Sequence, residues 1–282
     1  MGATALGLHT HVKIAAFEEP VVLGPDRRKS TVIYFEGGVY LPAGKQITSV
    51  TIFTKQGIKV LFIHIPKTGG TTFAEAMIDL GWEPSFYIRG KSPDELSHLK
   101  TTPQHYHSRL LKKIFNLDEF DLQLAIIRNP FERIKSEFYW QSRQREYYPD
   151  PETWFRAAKE GYRKNKYIYD NHIRPQKHFI TPAAEIFKLE EKGIISALRR
   201  CQSLIKSQTQ QDQDRLATLE LPFKWKTSRK QELEAQFKKL KEDINNFYQS
   251  DYKLWKNLSS PYQQKLKHTF RNSFPAFNRS AQ

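Results

Sequence analysis

The stretch KVLFIHIPKTGGTTF, residues 59–73, constrains the fold more than any other part of the chain. It begins with an apolar run of the kind expected for a strand buried on both faces of a parallel sheet. A glycine-containing loop follows. Apolar residues then recur at helical spacing from Phe73 to Leu80, and Gly81 stands where such a helix would end. A strand, a loop and a helix in this order predict a layered α/β fold.

A second buried strand is predicted at LQLAIIR, residues 122–128. The segment 129–148 that follows starts with Asn-Pro and carries apolar residues at helical spacing, which predicts a helix with the proline in its first turn. Residues 151–162 and 229–250 have helical patterns as well. Strands that alternate with helices predict an α/β domain over residues 58–282, with a P-loop-like parallel sheet flanked by helices.

The first 57 residues have a different pattern. Runs of β-branched and aromatic residues such as STVIYF and QITSVTIF are separated by Gly-Gly and Pro-Ala-Gly, which is typical of strands joined in hairpins. We therefore expect residues 1–57 to form a β-rich N-terminal extension or a small module beside the main domain. No catalytic constellation is recognisable in this segment.

The chain carries a net charge of +15, because 45 lysines and arginines are set against 30 acidic residues. Such a surplus attracts polyanions, which include nucleic acid, an anionic membrane, an acidic polysaccharide and a phosphorylated cofactor. A solvated basic surface with no specific partner would give the same composition. Charge alone therefore does not choose among these partners.

Signals for membrane insertion and secretion are not evident in the sequence. The longest apolar runs are far shorter than the ~20 residues of a membrane-spanning helix, and no signal peptide is recognisable. A single cysteine, Cys201, cannot form an internal disulfide, which favours a reducing compartment. We expect a cytoplasmic, bacterial-type protein, or one of the Golgi lumen if the sequence is a trimmed part of a longer chain.

The loop between the first strand and its helix is suited to an anion. A glycine-containing turn at this place points backbone N–H groups and the positive end of the helix at one spot. A lysine adds a point charge, and threonine hydroxyls add donors. The candidate anion-binding residues are Lys67, Thr68, Gly69, Gly70, Thr71 and Thr72. A Walker A loop has its lysine after the glycines, so a plain P-loop NTPase fits badly.

The stretch IHIPKTGGTTF resembles the loop that binds the 5′-phosphosulfate in sulfotransferases that use 3′-phosphoadenosine 5′-phosphosulfate (PAPS). The form KTGGTT is most similar to the polysaccharide O-sulfotransferases of the heparan sulfate 2-O and 6-O type. In that family an arginine at a strand end and a serine eight residues later hold the 3′-phosphate of PAPS. Arg128 and Ser136 in IIRNPFERIKSEFYW have this spacing. The resemblance covers about residues 59–255 and is densest at 60–77 and 123–140.

Sulfuryl transfer needs an in-line acceptor hydroxyl, a base for its proton and positive charge at the leaving phosphate. Lys67 is the candidate for that charge. Histidine titrates near neutrality, which suits a base, and TPQHYHSRLL offers His105 and His107. The resemblance places the base in this segment and favours His105, while a His-x-His pair in the 2-O enzymes leaves His107 open. Glu75 is a third candidate, since the 3-O and N-sulfotransferases use a glutamate on the helix after the loop.

Later segments also resemble parts of the family. His172 and Arg174 lie in DNHIRPQ, which resembles a segment near the active site, so that they either contact the acceptor sugar or hold a loop. A cofactor role for Thr227 or Ser228 is in doubt, because Trp225 stands where the family has an asparagine.

The remaining aromatic and histidine residues have simpler interpretations. We assign four aromatic residues to core packing, with stacking on a sugar ring or on adenine as the alternative: Tyr139, Trp140, Tyr147 and Tyr148. A metal held by His105 and His107 would need further ligands that the sequence does not suggest, so we expect no metal.

The leading hypothesis is an enzyme that transfers a sulfuryl group from PAPS to a carbohydrate hydroxyl by in-line displacement, with a histidine base, and releases 3′,5′-ADP without a metal. The expected partner is an anionic polysaccharide or oligosaccharide, with no nucleic acid and no integral membrane segment. Relatives of the 2-O type form trimers, so the resemblance leaves a homo-oligomer open. The alternatives are an atypical NTP-dependent kinase or ATPase and a non-catalytic polyanion-binding protein on the same fold. Binding of 3′,5′-ADP, of ATP with Mg²⁺, or of neither distinguishes the three.

Overall fold

The computed structural model describes residues 52–85, 98–143, 148–206 and 230–258. The strands are β1 (Ile52–Lys55), β2 (Ile58–Ile63), β3 (Glu83–Ser85), β4 (Leu122–Ile127) and β5 (Glu185–Lys188). The helices are α1 (Gly70–Asp79), α2 (Ser108–Ile114), α3 (Pro130–Ser142), α4 (Pro151–Lys164), α5 (Gly193–Gln202), α6 (Lys230–Phe247) and α7 (Gln249–Asn257). None of these helices combines the length and the apolar character that a membrane crossing requires.

The five strands form one mixed sheet in the order β3-β1-β2-β4-β5. Strands β2, β4 and β5 are parallel, whereas β1 is antiparallel to both of its neighbours. The two buried strands predicted from the sequence are therefore confirmed, and helices flank the sheet as expected. The antiparallel edge was not predicted.

Strand β1 corrects the predicted boundary between residues 57 and 58. It forms a hairpin with β2 through Gln56 and Gly57, which both have positive φ angles of 50° and 79°. Two such residues suit the tight turn that joins twisted antiparallel strands. Ile52–Lys55 therefore belongs to the main sheet, while residues 1–51, the rest of the predicted extension, lie outside the described residues.

Both faces of β2 are covered, which explains its uninterrupted apolar sequence. Val60 and Phe62 pack with α1 and α5 on one face, and Leu61 and Ile63 pack with α2 on the other. Successive residues of a strand point to opposite faces, so each face of a central strand needs its own apolar set. A third apolar cluster joins α3, α4 and α6.

The predicted helices are present, with local reasons for their ends. The side chain of Asn129 accepts the N–H groups of Phe131 and Glu132 at the start of α3, with Pro130 in the first turn. Gly81 follows α1 with a φ of 77°, as a helix end requires. The helix predicted at 229–250 is instead two, because Tyr248 interrupts it between α6 and α7.

Buried charged side chains on α3 and α7 hold the loop between α4 and β5, residues 165–184, in place. The guanidinium of Arg133 on α3 donates to the carbonyls of His172 and Arg174, each at 2.9 Å, and lies over the ring of Tyr248. The carboxylate of Asp251 on α7 accepts the backbone N–H groups of Gln176 and Lys177 in the same loop, at 2.8 and 3.0 Å. Two helices thus set the position of this loop.

We expect Arg133→Lys to lower the free energy of unfolding by about 2–4 kcal/mol, because lysine lacks the fork that satisfies two buried carbonyls. Urea unfolding followed by circular dichroism measures the change. Arg163→Lys is the matched control, since that side chain is 72% exposed on α4, and it should change stability by less than about 0.5 kcal/mol. Equal effects of the two substitutions would contradict this role of Arg133.

Candidate active site

The predicted anion loop and Arg128 meet at the carboxyl edge of the parallel strands. The loop follows β2, Arg128 follows β4, and these strands are neighbours. The Arg128 guanidinium donates to the carbonyl of Lys67 at 3.4 Å. The side-chain amide of Gln176 holds the backbone of Arg128 from both sides, accepting its N–H at 2.9 Å and donating to its carbonyl at 2.8 Å. Two segments that are 61 residues apart in sequence therefore form one site.

The two glycines of the loop are required by close packing. Gly69 has a φ of 87°, and a Cβ there would lie 2.9 Å from the side chain of Ile194. A Cβ on Gly70 would lie 2.1 Å from Nε2 of His64, the residue that directly follows β2. The backbone of the loop is thus wedged between α5 and a buried imidazole.

The start of α1 supplies donors for an anion. The first bond of the helix runs from the N–H of Phe73 to the carbonyl of Gly69, so the N–H groups of Gly70, Thr71 and Thr72 precede the helical ladder. Together with the helix dipole they favour negative charge at this end. Thr68 behaves differently from the expectation, because its hydroxyl donates to the carbonyl of Ile65 at 2.9 Å and so closes the loop itself.

Lys67 lies in the loop with a φ of 67°. Its ammonium is 5.0 Å from the ring centre of Trp140 on α3. Burial lowers the pKa of Lys67 to about 8; the charge of Glu137 opposes the shift, and Arg143 and Arg128 add to it. Lys67 therefore remains mainly an ammonium at neutral pH and loses its proton at mildly alkaline pH.

The first of two buried histidine–carboxylate pairs joins His105 to Asp170. Nδ1 of His105 lies 2.7 Å from Oδ2 of Asp170. The carboxylate also accepts the hydroxyl of Thr101 at 2.5 Å, and the N–H and hydroxyl of Thr102, both at 2.7 Å.

Ionisation of Asp170 fixes the tautomer of His105. Burial acts to raise the pKa of Asp170, but His105, His172 and Thr101 outweigh it and leave that pKa below its usual value. An ionised carboxylate can only accept, so Nδ1 of His105 donates and Nε2 is left with a lone pair. Burial lowers the pKa of His105, and Asp170 acts against this. The imidazole is thus neutral and oriented, as a proton acceptor must be.

The second pair joins His172 to Glu137. Nδ1 of His172 lies 2.6 Å from Oε2 of Glu137, and the amide of Gln141 donates to the other carboxylate oxygen at 2.6 Å. Burial acts to raise the pKa of Glu137, yet His172, Lys67 and Gln141 hold it at about 2. Glu137 is therefore a buried anion, and its charge acts on Lys67 in the anion loop.

The two pairs lie side by side in a row of rings. The ring centres of His105 and His172 are 4.8 Å apart, and those of His105 and His64 are 5.1 Å apart. Phe62 stacks on the outer side of His64 at 5.4 Å, and Trp140 lies 5.4 Å from His172 at the other end. We call His64, His105 and His172 the histidine row.

His64 was not predicted from the sequence. Its Nδ1 is buried and has no hydrogen-bond partner among the described residues. Burial lowers the pKa of His64 well below its usual value, and the charges of His105 and His172 add to this effect. The available signal was a polar residue at the end of an apolar strand, five residues before a pair of glycines.

The predicted residues His107 and Arg174 have structural contacts. Nδ1 of His107 accepts the N–H of Leu110 at 3.3 Å and so caps α2. Arg174 donates to the side chain of Asn171 at 2.8 Å and to the carbonyl of Lys166 at 2.9 Å. These contacts favour the second of the two interpretations of Arg174, that it holds a loop.

Two further predicted residues, Ser136 and Glu75, lie on α3 and α1, the helices that follow β4 and β2. Ser136 is half-buried in the second turn of α3, and Glu75 is half-buried on α1. Tyr139 and Tyr148 pack against the helical core as expected, whereas Trp140 contacts His172 and Lys67. Tyr147, Trp225, Thr227 and Ser228 lie outside the described residues.

Asp170 occupies a strained turn. Tyr169, Asp170 and Asn171 have φ angles of 50°, 54° and 67°, a left-handed conformation that costs a non-glycine residue about 1–3 kcal/mol. Asn171 offsets part of this cost by donating to the carbonyl of His105 at 2.9 Å and to Thr101 at 3.1 Å. The turn directs the carboxylate of Asp170 towards His105.

The ligand atoms of His105, Asp170 and His172 all lie within 4.8 Å of one another, which raises the question of a metal. Two ligands of a tetrahedral zinc ion are about 3.3 Å apart, given bonds of about 2.0–2.1 Å. The 2.7 Å between His105 and Asp170 is a hydrogen-bond distance instead. The geometry fits proton-sharing pairs better than a joint metal site.

The match to a family supplies the decisive observation. A model of the sulfotransferase family matches residues 50–263, about three quarters of the chain. The chain belongs to the sulfotransferase family. This membership supports sulfuryl transfer and a transferase activity. Neither the curated proteins nor the solved structures include a significant match to this sulfotransferase.

We expect Asp170→Asn to lower the pKa of His105, because the substitution removes the negative charge that opposes the effect of burial. An NMR titration of the imidazole nitrogens measures this pKa and the tautomer. Asp243→Asn is the control, since Asp243 pairs with Lys159 between α4 and α6. The pairing would be refuted by a His105 titration that Asp170→Asn leaves unchanged.

Proposed function

We propose that this sulfotransferase transfers a sulfuryl group from PAPS to a hydroxyl of a carbohydrate, with His105 as the general base. The observation that carries the proposal is the buried His105–Asp170 pair at the edge of the sheet where Lys67 and Arg128 meet. A base with a fixed tautomer, an ammonium and a guanidinium at one site are what the reaction requires of a protein.

The anion loop, residues 67–72, suits the 5′ end of the donor, and we call it the donor loop. The early N–H groups of α1 and the Lys67 ammonium suit a phosphosulfate, and Lys67 meets the charge that develops on the leaving phosphate. Arg128 and Ser136 are proposed for the 3′-phosphate, for which a guanidinium fork is well suited. PAPS supplies the activated sulfuryl group when bound, and 3′,5′-ADP is the product.

His105 accepts the proton of the acceptor hydroxyl at Nε2, since Nδ1 is bonded to Asp170. The carboxylate of Asp170 then stabilises the imidazolium that forms. Burial favours the neutral imidazole before the reaction, so the base is ready at neutral pH. A histidine–carboxylate pair of this kind accepts one proton in each cycle.

The charges around His107 support an anionic carbohydrate as the acceptor. Burial lowers the pKa of His107, and the positive charges of Arg174 and Arg109 lower it further. Positive charges therefore lie near His107, two residues after the proposed base His105. Together with the net charge of +15 they favour an acidic polysaccharide or oligosaccharide.

The first experiment measures thermal stability with 3′,5′-ADP, with 5′-AMP and with ATP–Mg²⁺. At about 100 times its Kd, 3′,5′-ADP should stabilise the protein by about 2.7 kcal/mol, several degrees in Tm. Arg128→Ala should remove this shift, and Arg163→Ala, exposed on α4, should retain it. A shift with ATP–Mg²⁺ alone would support the kinase alternative, and no shift with any nucleotide would support the non-catalytic one.

The base is tested by transfer of labelled sulfate from PAPS to desulfated heparan-type polysaccharide. His105→Ala should lower kcat by about 10²–10⁴ and leave the Kd of 3′,5′-ADP unchanged. His107→Ala loses a helix cap, about 1 kcal/mol of stability, but should retain most of kcat. The reverse ranking would assign the base to His107.

A further inference from the structure

We propose that Glu137 is a positioning residue that keeps Lys67 charged and links the donor loop to the histidine row. This inference rests on the proposed function, because it assigns to Glu137 a task in that reaction.

Glu137 is a fully buried carboxylate, with 0% of the residue exposed. Its two oxygens accept from His172 and from Gln141, both at 2.6 Å. Gln141 is itself held, because its carbonyl oxygen accepts from Trp154 at 3.1 Å and from Tyr148 at 2.6 Å. A buried charge with such a supporting network has one position, and its field acts at short range in a medium of low polarity.

Helix α3 places this charge beside the donor loop. Glu137 and Trp140 are three residues apart and so share one side of the helix. The ring of Trp140 contacts His172 on one side and has the Lys67 ammonium 5.0 Å from its centre. Ser136, proposed for the 3′-phosphate, is the neighbour of Glu137 in the same helix. Helix α3 thus carries a group proposed to bind the donor, Ser136, and a group bonded to the histidine row, Glu137.

The charges that act on Lys67 have opposite effects. Arg128 and Arg143 are cations and favour the neutral amine, as burial does, whereas Glu137 favours the ammonium and is the strongest charged neighbour. His64 is also within electrostatic range of Lys67 and is neutral, since burial lowers its pKa. Loss of the Glu137 charge would leave Lys67 among cations. An uncharged amine there could not stabilise a leaving phosphate.

The same carboxylate acts on the proposed base. Burial lowers the pKa of His105, and the charges of Asp170 and Glu137 raise it. Removal of Glu137 should therefore lower two pKa values, that of His105, which must be neutral, and that of Lys67, which must be charged. The pH range of activity should move to lower pH at both ends.

The test measures the protonation of Lys67 directly, without activity. The full-length protein is labelled with acetic anhydride at a series of pH values, and modification of Lys67 is quantified by mass spectrometry against Lys164, which is 76% exposed. In the wild type the midpoint should lie at about 8. In Glu137→Gln it should fall by about 1 unit. Glu132→Gln is the matched control on the same helix, 43% exposed, and should leave the midpoint unchanged.

Loss of structure would move the labelling midpoint of Lys67 in the opposite direction. Unfolding around Lys67 would raise the midpoint towards about 10.4, the value of a solvated lysine. Should Glu137→Gln unfold, Glu137→Asp keeps the charge at a shorter reach and should retain a midpoint near that of the wild type. A midpoint that Glu137→Gln leaves in place, or that Glu137→Asp lowers by as much as 1 unit, overturns the proposal.

The pH profile of transfer separates this inference from the proposed function. Glu137→Gln should shift both limbs to lower pH, and Asp170→Asn should shift the acid limb alone, since Asp170 acts on His105. A uniform loss of rate with both limbs in place would make Glu137 merely structural. A wild type without transfer activity would refute the proposed function, while the labelling midpoint would still decide the effect of Glu137 on Lys67.

Discussion

Desolvation of charge is the constraint on which the rest of the site depends. Asp170 and Glu137 are ionised in the interior, where an unpaired carboxylate would be prohibitively unstable. Each is stabilised by a histidine and by further donors, and each thereby fixes the orientation of that histidine. The arrangement also limits how many protons the histidine row can hold, because neighbouring imidazoles repel one another once charged. Stability and chemistry thus have the same origin here.

Helix α3 connects the buried charges to other parts of the site. It begins two residues after Arg128, its Arg133 fixes the loop that carries His172, and Glu137 bonds to that histidine. The opposite side of the helix packs into the apolar cluster with α4 and α6. A shift of this helix would therefore alter both the sheet edge that carries Lys67 and Arg128 and the histidine row.

The parts that could be predicted from the sequence are those in which local order carries the information. The apolar run of β2 and the loop after it are continuous, and Arg128 directly follows a recognisable strand. His105 was selected, but Asp170, its partner 65 residues later, was not. Glu137 was missed although Ser136 beside it was chosen, because its partner His172 is 35 residues away. Pairings across such separations depend on packing that no local pattern encodes. The β1–β2 hairpin is the exception, since Gln56-Gly57 was a readable turn that we assigned to a boundary.

The left-handed turn at residues 169–171 has a consequence for how the protein could be stabilised. Tyrosine is a poor occupant of such a conformation, so Tyr169 stores free energy that a glycine or asparagine would release. Asp170 and Asn171 belong to types that adopt it more readily. Thermostable variants of this protein are therefore better sought away from the turn, where improved packing does not alter the direction of the Asp170 carboxylate. A substitution that relaxes the φ angles of residues 169–171 would raise stability but could also move Asp170 away from His105.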